Sequence, residues 1–197
     1  TPFKYTPPEG FKGWCSTNMT DFSSGDSLND SSKFFDVKVY GGNGTDNTDI
    51  IGFGFQPDLV WLKSRDKDSS YHYLYDAVRG ATYAMHPNVS DESSAETDTL
   101  KAFNSDGFRL GDHDNVNGSD KSHIALCWDL GGAASGANND GSINVSSGNQ
   151  WKSATAGISI TKYTGDGAND ATVGHGLAVK PEWVIVKKAS GSGEWKT

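Results

Sequence analysis

The sequence predicts an all-β fold, an antiparallel β-sandwich-like body with Gly-rich hairpins and an extended N-terminal arm. Three observations carry that prediction. Short apolar runs with period-two alternation recur along the chain. The 24 Gly cluster between those runs, where turns belong. A block of strand and turn signals occurs twice.

The arm is residues 1–33. Pro2, Pro7 and Pro8 exclude regular helix there and favour extended backbone. Phe3, Tyr5, Phe11 and Trp14 are its large apolar anchors, suited to bury against the body or a neighbouring subunit. The Ser/Asp/Asn-rich stretch up to Lys33 reads as loop.

The first β unit is residues 34–155. Phe35, Val37 and Val39 share one face of a strand over Phe34 to Tyr40. Leu59 to Leu62 is a short, continuous apolar strand. Tyr71 to Tyr75 is aromatic-rich and has high β propensity. Phe103 to Phe108 encloses an Asp-Gly pair, a hairpin signal. His123 to Leu130 is the most apolar run and reads as a central strand. Glu92 to Phe103 is the one helix candidate, with Leu100 and Phe103 on one face.

The second unit, residues 156–197, begins a repeat. Tyr40-Gly41-Gly42-Asn43-Gly44 matches Tyr163-Thr164-Gly165-Asp166-Gly167. Gly52 to Lys63 then matches Gly176 to Lys187, including Pro57 with Pro181. The pattern predicts strands over Ala156 to Tyr163 and Trp183 to Val186. The second copy is short, and the sequence reads as part of a longer polypeptide.

Charge and composition exclude several classes. Lys and Arg number 17 against 25 Asp and Glu, a formal charge of −8. That balance lacks the basic footprint of a nucleic-acid binder. No apolar run is long enough for a membrane-spanning helix, so no membrane insertion is expected. Cys15 and Cys127 cannot form a disulfide framework, and Cys127 in an apolar strand reads as a buried thiol.

Catalytic signatures are missing. There is no G-x-S-x-G elbow, no H-E-x-x-H and no P-loop. The Gly-x-Gly pairs do not continue as a dinucleotide fingerprint. Paired carboxylates for glycoside hydrolysis could be drawn from many acids, and nothing singles out one pair. The Asp76 to Arg79 segment reads as a brace for the turn at Gly80. No catalytic residue, and no cofactor beyond a weak Ca²⁺ site, is expected. Asp112, Asp114, Asn117 and Asp120 are the candidates for that site, although the EF-hand register is absent and a solvated turn is the plainer reading. Trp14, Tyr71, Tyr73, Trp151 and Trp195, with Tyr83, are candidates to stack on sugar rings, against core or inter-subunit packing as the simpler role.

Ordered motifs then carry a resemblance. Phe34 to Tyr40, Gly52 to Lys63, Tyr75-Asp76-Ala77-Val78-Arg79-Gly80-Ala81, Phe103 to Phe108, Cys127-Trp128 and Val173 to Leu177 together resemble a domain of unknown function in tailed-bacteriophage virion proteins. Phe3 to Lys12 is similar to a junction that follows a SPRY-like, concanavalin-like domain in such proteins. The resemblance implies a virion structural protein, a tail fibre, spike or surface appendage subunit assembled in the host cytoplasm. It implies a homo-oligomer, a trimer for a fibre, in contact with other virion proteins. The alternatives are a carbohydrate-binding module for host surface glycans, a capsid decoration or head fibre protein, and, last, a polysaccharide depolymerase.

Overall fold

A computed structural model describes residues 31–197. Eleven strands, a 3-10 turn at Ser31–Lys33 and a single helical turn make up its regular structure. The expected all-β fold is therefore the observed one. The strands are β1 (Phe35–Gly41), β2 (Thr48–Ile51), β3 (Leu59–Ser64), β4 (Tyr73–Asp76), β5 (Tyr83–Ala84) and β6 (Ser94–Ala95). They continue as β7 (Leu100–Asn104), β8 (Gly107–Leu110), β9 (Ser122–Trp128), β10 (Gln150–Ser153) and β11 (Ile158–Thr161). The helical turn α1 is Asp114–Asn117.

Two antiparallel sheets form the body. The main sheet has the order β1-β9-β3-β4, and the second has the order β2-β8-β7. Alternation decides which side chains meet between them. Tyr40, Ala125, Cys127, Val60, Leu62, Tyr73 and Tyr75 point inward from the main sheet. Leu100, Phe108 and Leu110 meet them from the second sheet, with Phe53, Phe55 and Val116 closing the ends. The most apolar run becomes β9, paired on both sides, as its sequence predicts.

Three expectations change. Glu92 to Phe103 is not helical but supplies β6 and β7. Its Ser, Thr and Asp side chains compete for backbone groups, and Leu100 and Phe103 gain more by pairing with Leu110 and Phe108 on β8. The hairpin at Phe103 to Phe108 is present, but Ser105 and Asp106 form its turn, since Asn104 pairs with Gly107. Gly107 belongs to the strand, pairing with Asn104 and Ile51, and it must be glycine because an added Cβ would collide with the Ile50 carbonyl oxygen. Trp183 to Val186 is not a strand. Its four side chains are exposed, and only Val186 is bridged, to Lys196.

The boundary drawn between residues 155 and 156 falls inside the β10–β11 hairpin, whose rungs run from Gln150↔Thr161 to Ser153↔Ile158. The C-terminal region has a small core of its own, built as much by amides as by apolar volume. Asn138 Nδ2 donates to Gln150 Oε1 and to the Gly174 carbonyl, both at 3.1 Å. Gln150 Nε2 donates to the same carbonyl at 2.9 Å. Ile143 and Val145 pack there. The arm falls outside the described residues except for Ser31–Lys33.

β1 borders the main sheet among the described residues. Its inward side carries a charged pair, with Lys38 Nζ 3.5 Å from Asp36 Oδ2 and 4.9 Å from the centre of the Phe53 ring. Inward-pointing charges of this kind discourage another strand from pairing at a border.

Candidate functional site

The outer face of the main sheet is the most unusual surface. One face of an antiparallel sheet ordinarily meets water and is polar. Here rungs line up apolar side chains across the sheet. Val37 lies opposite Leu126, Leu126 opposite Trp61, and Trp61 opposite Leu74. In the next row Phe35 lies opposite Trp128, and Trp128 opposite Leu59. Val39 faces Ile124 in a third. Val37 is 42% exposed and Val39 58%. The Phe35 and Trp128 rings sit 4.9 Å apart. Beside them a shallow cavity of about 230 Å³ is lined by Ser31, Phe34, Phe35, Trp128, Ala156 and Ile158. It is smaller than the roughly 300–1,000 Å³ usual for a small-molecule pocket. A flat apolar face with a shallow dent suits another protein surface.

A second cluster surrounds His86. Its Nδ1 lies 2.9 Å from the His72 carbonyl oxygen and its Nε2 lies 3.0 Å from Glu96 Oε1. Both ring nitrogens thus face oxygen acceptors, an arrangement that two N–H donors satisfy. Burial acts to depress the His86 pKa, but the Glu96 carboxylate and the His72 carbonyl outweigh it and the net direction is upward. Burial acts to raise the Glu96 pKa, and the bonds from His86 and Ser94 turn the net direction downward. The pair lies under aromatic rings and becomes an ion pair when His86 is protonated. Tyr71 stands 5.0 Å from the His86 ring, and Tyr73 meets it edge-on at 4.7 Å.

The structure distributes the sugar-stacking candidates unevenly. Tyr71 is 43% exposed and Tyr83 46%. Tyr73 is buried in the core, and its hydroxyl accepts from Asn115 Nδ2 at 2.8 Å. Its role is packing, because an inward position on β4 gives its ring no open face. Trp151 is half-buried in β10. Trp195 is half-buried too, donating from Nε1 to the Val89 carbonyl at 3.1 Å with Lys187 Nζ 5.9 Å from its ring. Trp14 lies outside the described residues.

The acidic loop has a structural explanation. Asn117 is fully buried. Its Nδ2 donates to the Gly111 carbonyl at 2.8 Å and the Thr45 carbonyl at 3.0 Å, and its Oδ1 accepts from Asn43 N at 3.1 Å. The oxygen that would ligate Ca²⁺ is thereby engaged. Asp114 pairs with Lys67 at 2.6 Å, which holds its carboxyl below the usual range. Asp112 and Asp120 are exposed, and Asp120 has φ 57°. Among the described residues no three His, Cys, Asp or Glu side chains gather as metal ligands would.

Asp76 and Arg79 form the brace read from the sequence. Asp76 Oδ1 accepts from Arg79 N at 2.8 Å, and Gly80 N donates to the Asp76 carbonyl at 3.0 Å. The guanidinium also holds the Tyr83 and Leu74 carbonyls and Ser93 Oγ, tying β4, β5 and the following loop together.

The model of one family, described as a domain of unknown function (DUF7483), matches residues 30–197. The chain belongs to that family. No curated protein and no solved structure matches the chain. The DUF7483 match covers both sheets and the C-terminal region. Sequence reasoning missed the His86–Glu96 pair, since ten residues separate its members and the loop at 87–93 sets their approach. It also placed Val37 and Val39 on one face without indicating that this face is the outer one.

Proposed function

We propose that this DUF7483 domain is a structural module of a bacteriophage virion, a subunit of a tail fibre, spike or other surface appendage. The observation that carries the reading is the apolar outer face running from Val37 through Leu126 and Trp61 to Leu74. A solitary domain would leave that face in water at about 25 cal/mol for each Å² of apolar surface. A subunit packed against its neighbours buries it. The absence of any catalytic signature in the sequence, together with the resemblance of its ordered motifs, favours a structural role. The copies form a homo-oligomer, a trimer in a fibre, and contact other virion proteins. A capsid decoration or head fibre fits the same face.

Sedimentation of the intact protein tests the oligomer. A trimer that Val37→Lys with Val39→Lys disperses to monomers is the expected result, and a monodisperse monomer without substitution overturns it. Labelling the protein on intact particles then locates it at tail or head, and particles without label refute the virion reading.

A second reading, glycan binding, draws on the exposed rings of Tyr71, which lies beside His86, and Tyr83. Exposed rings of this kind stack on sugar faces. A glycan array probed with the intact protein should lose its hits in Tyr71→Ala. An array without hits removes the reading.

A further inference from the structure

The two copies of the repeat differ in what pairs with them, and the difference leaves backbone edges of the second copy without partners among the described residues. In the first copy, β3 lies between β4 and β9. Arg65, one residue past β3, donates from its N–H to the Ser122 carbonyl at 2.8 Å, and the rungs continue in step. Odd-numbered residues of β3 therefore turn their backbone groups to β9, and even-numbered ones to β4. Leu62 is opposite Tyr73 in the β4 ladder.

The second copy reproduces one side of this arrangement. Val186 is the counterpart of Leu62, an offset of 124. It exchanges both backbone hydrogen bonds with Lys196, at 2.8 and 3.0 Å. Lys196 thereby takes the place that Tyr73 has opposite Leu62, with a connection one residue shorter than in the first copy. The turn glycines agree as well. Gly44 and Gly167 have φ 64° and 76°, and Gly52 and Gly176 have φ 91° and 72°. The rung on the β4 side is thus in place. On the β9 side, Trp183, Ile185 and Lys187 have no backbone partner among the described residues.

The counterpart of β1 is also unpaired along its corresponding edge. Phe34 accepts from Asp129 N at 2.9 Å, and Gly42 N donates to the Lys121 carbonyl at 2.8 Å, so even-numbered residues of β1 face β9. An offset of 123 turns these into odd-numbered residues of β11. Lys162 N donates to the Asn149 carbonyl at 2.8 Å, so it is the even-numbered residues of β11 that face β10. The odd-numbered edge of β11, at Ser159 and Thr161, has no backbone partner among the described residues. Both strands that flank β9 in the first copy therefore have counterparts whose β9-facing edges are unpaired. Four exposed apolar side chains, Trp183 to Val186, mark the spot.

We propose that residues 183–187 form a docking edge for one extended peptide strand of the β9 type, added antiparallel from outside the described fold. Such a strand alternates apolar residues with small or polar ones, as Ser122-His123-Ile124-Ala125-Leu126-Cys127-Trp128 does. Main-chain hydrogen bonds to Trp183, Ile185 and Lys187 would supply affinity, and alternate side chains would supply selectivity. A second copy of this chain is a poor donor, because its own β9 is paired along both edges. The inference stands apart from the virion reading.

The probe is a synthetic peptide with the sequence of Lys121–Asp129 carrying Cys127→Ser, added to the 197-residue protein during amide hydrogen exchange. Exchange at Trp183, Ile185 and Lys187 should slow by at least about tenfold, while Val184 stays unchanged. Ile185→Pro, which removes one facing N–H in an exposed segment, should abolish the effect with the first sheet's protection intact. Three results overturn the proposal. One is no slowing up to the peptide's solubility. Another is equal slowing by a scrambled peptide, or faster exchange at Ile124 and Leu126, which would mean that the peptide displaces β9 from its own place. The last is slowing at 183–187 that depends on protein concentration alone, which would assign the edge to a second copy.

Discussion

Arg79 Nε sits 2.6 Å from Asp76 Oδ2, and both side chains are less than a tenth exposed. Each remaining guanidinium N–H that the fold reaches is spent on a carbonyl or hydroxyl of a different segment. Removing one member leaves the other charge buried without its partner. Arg79→Ala is expected to cost about 3–5 kcal/mol in urea unfolding. Arg79→Lys should recover only part of that, since an ammonium cannot reproduce the fork.

The His86–Glu96 pair sets a pH window. His86 has a raised folded pKa, so its contribution is fully present below the ordinary histidine value and is lost as pH rises through the folded one. Glu96 has a lowered folded pKa, so its contribution is present above the ordinary glutamate value and is lost as pH falls through the folded one. Stability from the pair therefore peaks between the two transitions. NMR titration should find His86 titrating above free histidine, and Glu96→Gln should move that titration down and flatten the alkaline side of the stability profile.

Asn117 is expected to tolerate no isostere. Asn117→Asp keeps the shape but removes the donors to Gly111 and Thr45 and buries a charge. A loss of about 3 kcal/mol or more is expected by chemical denaturation. Ca²⁺ addition should not rescue the variant, because Asp112 and Asp120 are exposed and Asp114 is engaged by Lys67. Rescue by Ca²⁺ would restore the metal-loop reading.

Cys127 is free and fully buried, and burial pushes its thiol pKa up. A thiol reagent should modify it only as fast as the main sheet opens. Core-loosening changes such as Val60→Ala should raise the labelling rate, whereas Val39→Lys on the outer face should not.

Much of the fold was legible because burial and period coincide. Alternation in Phe34 to Tyr40 marks a strand and the apolar character of His123 to Leu130 a central one, and the structure has both. The helix expected at Glu92 to Phe103 failed because two apolar residues can satisfy a helical face or a strand. The partners that decide, Phe108 and Leu110, lie beyond the window. Trp183 to Val186 reads as a strand by composition, yet a strand needs neighbours, and the sequence of one segment does not contain them. The site was less legible. Tyr73 and Tyr71 are two residues apart on an aromatic run, but Tyr73 is an inward residue of β4, whereas Tyr71 lies before the strand begins and is exposed.

The Asp36–Lys38 pair governs how crowded copies can go wrong. A strand arriving at β1 must strip water from two opposed charges, so that border resists zipping. Trp183 to Val186 carries no such opposed pair, and the hairpin it belongs to is held by the loop at 89–93, apart from the main core. Solubility is therefore decoupled from the strength of the main core. Substitutions that harden the sandwich leave the weak contact where it was, whereas a single charge at Val184 or Ile185 removes it without touching the melting temperature.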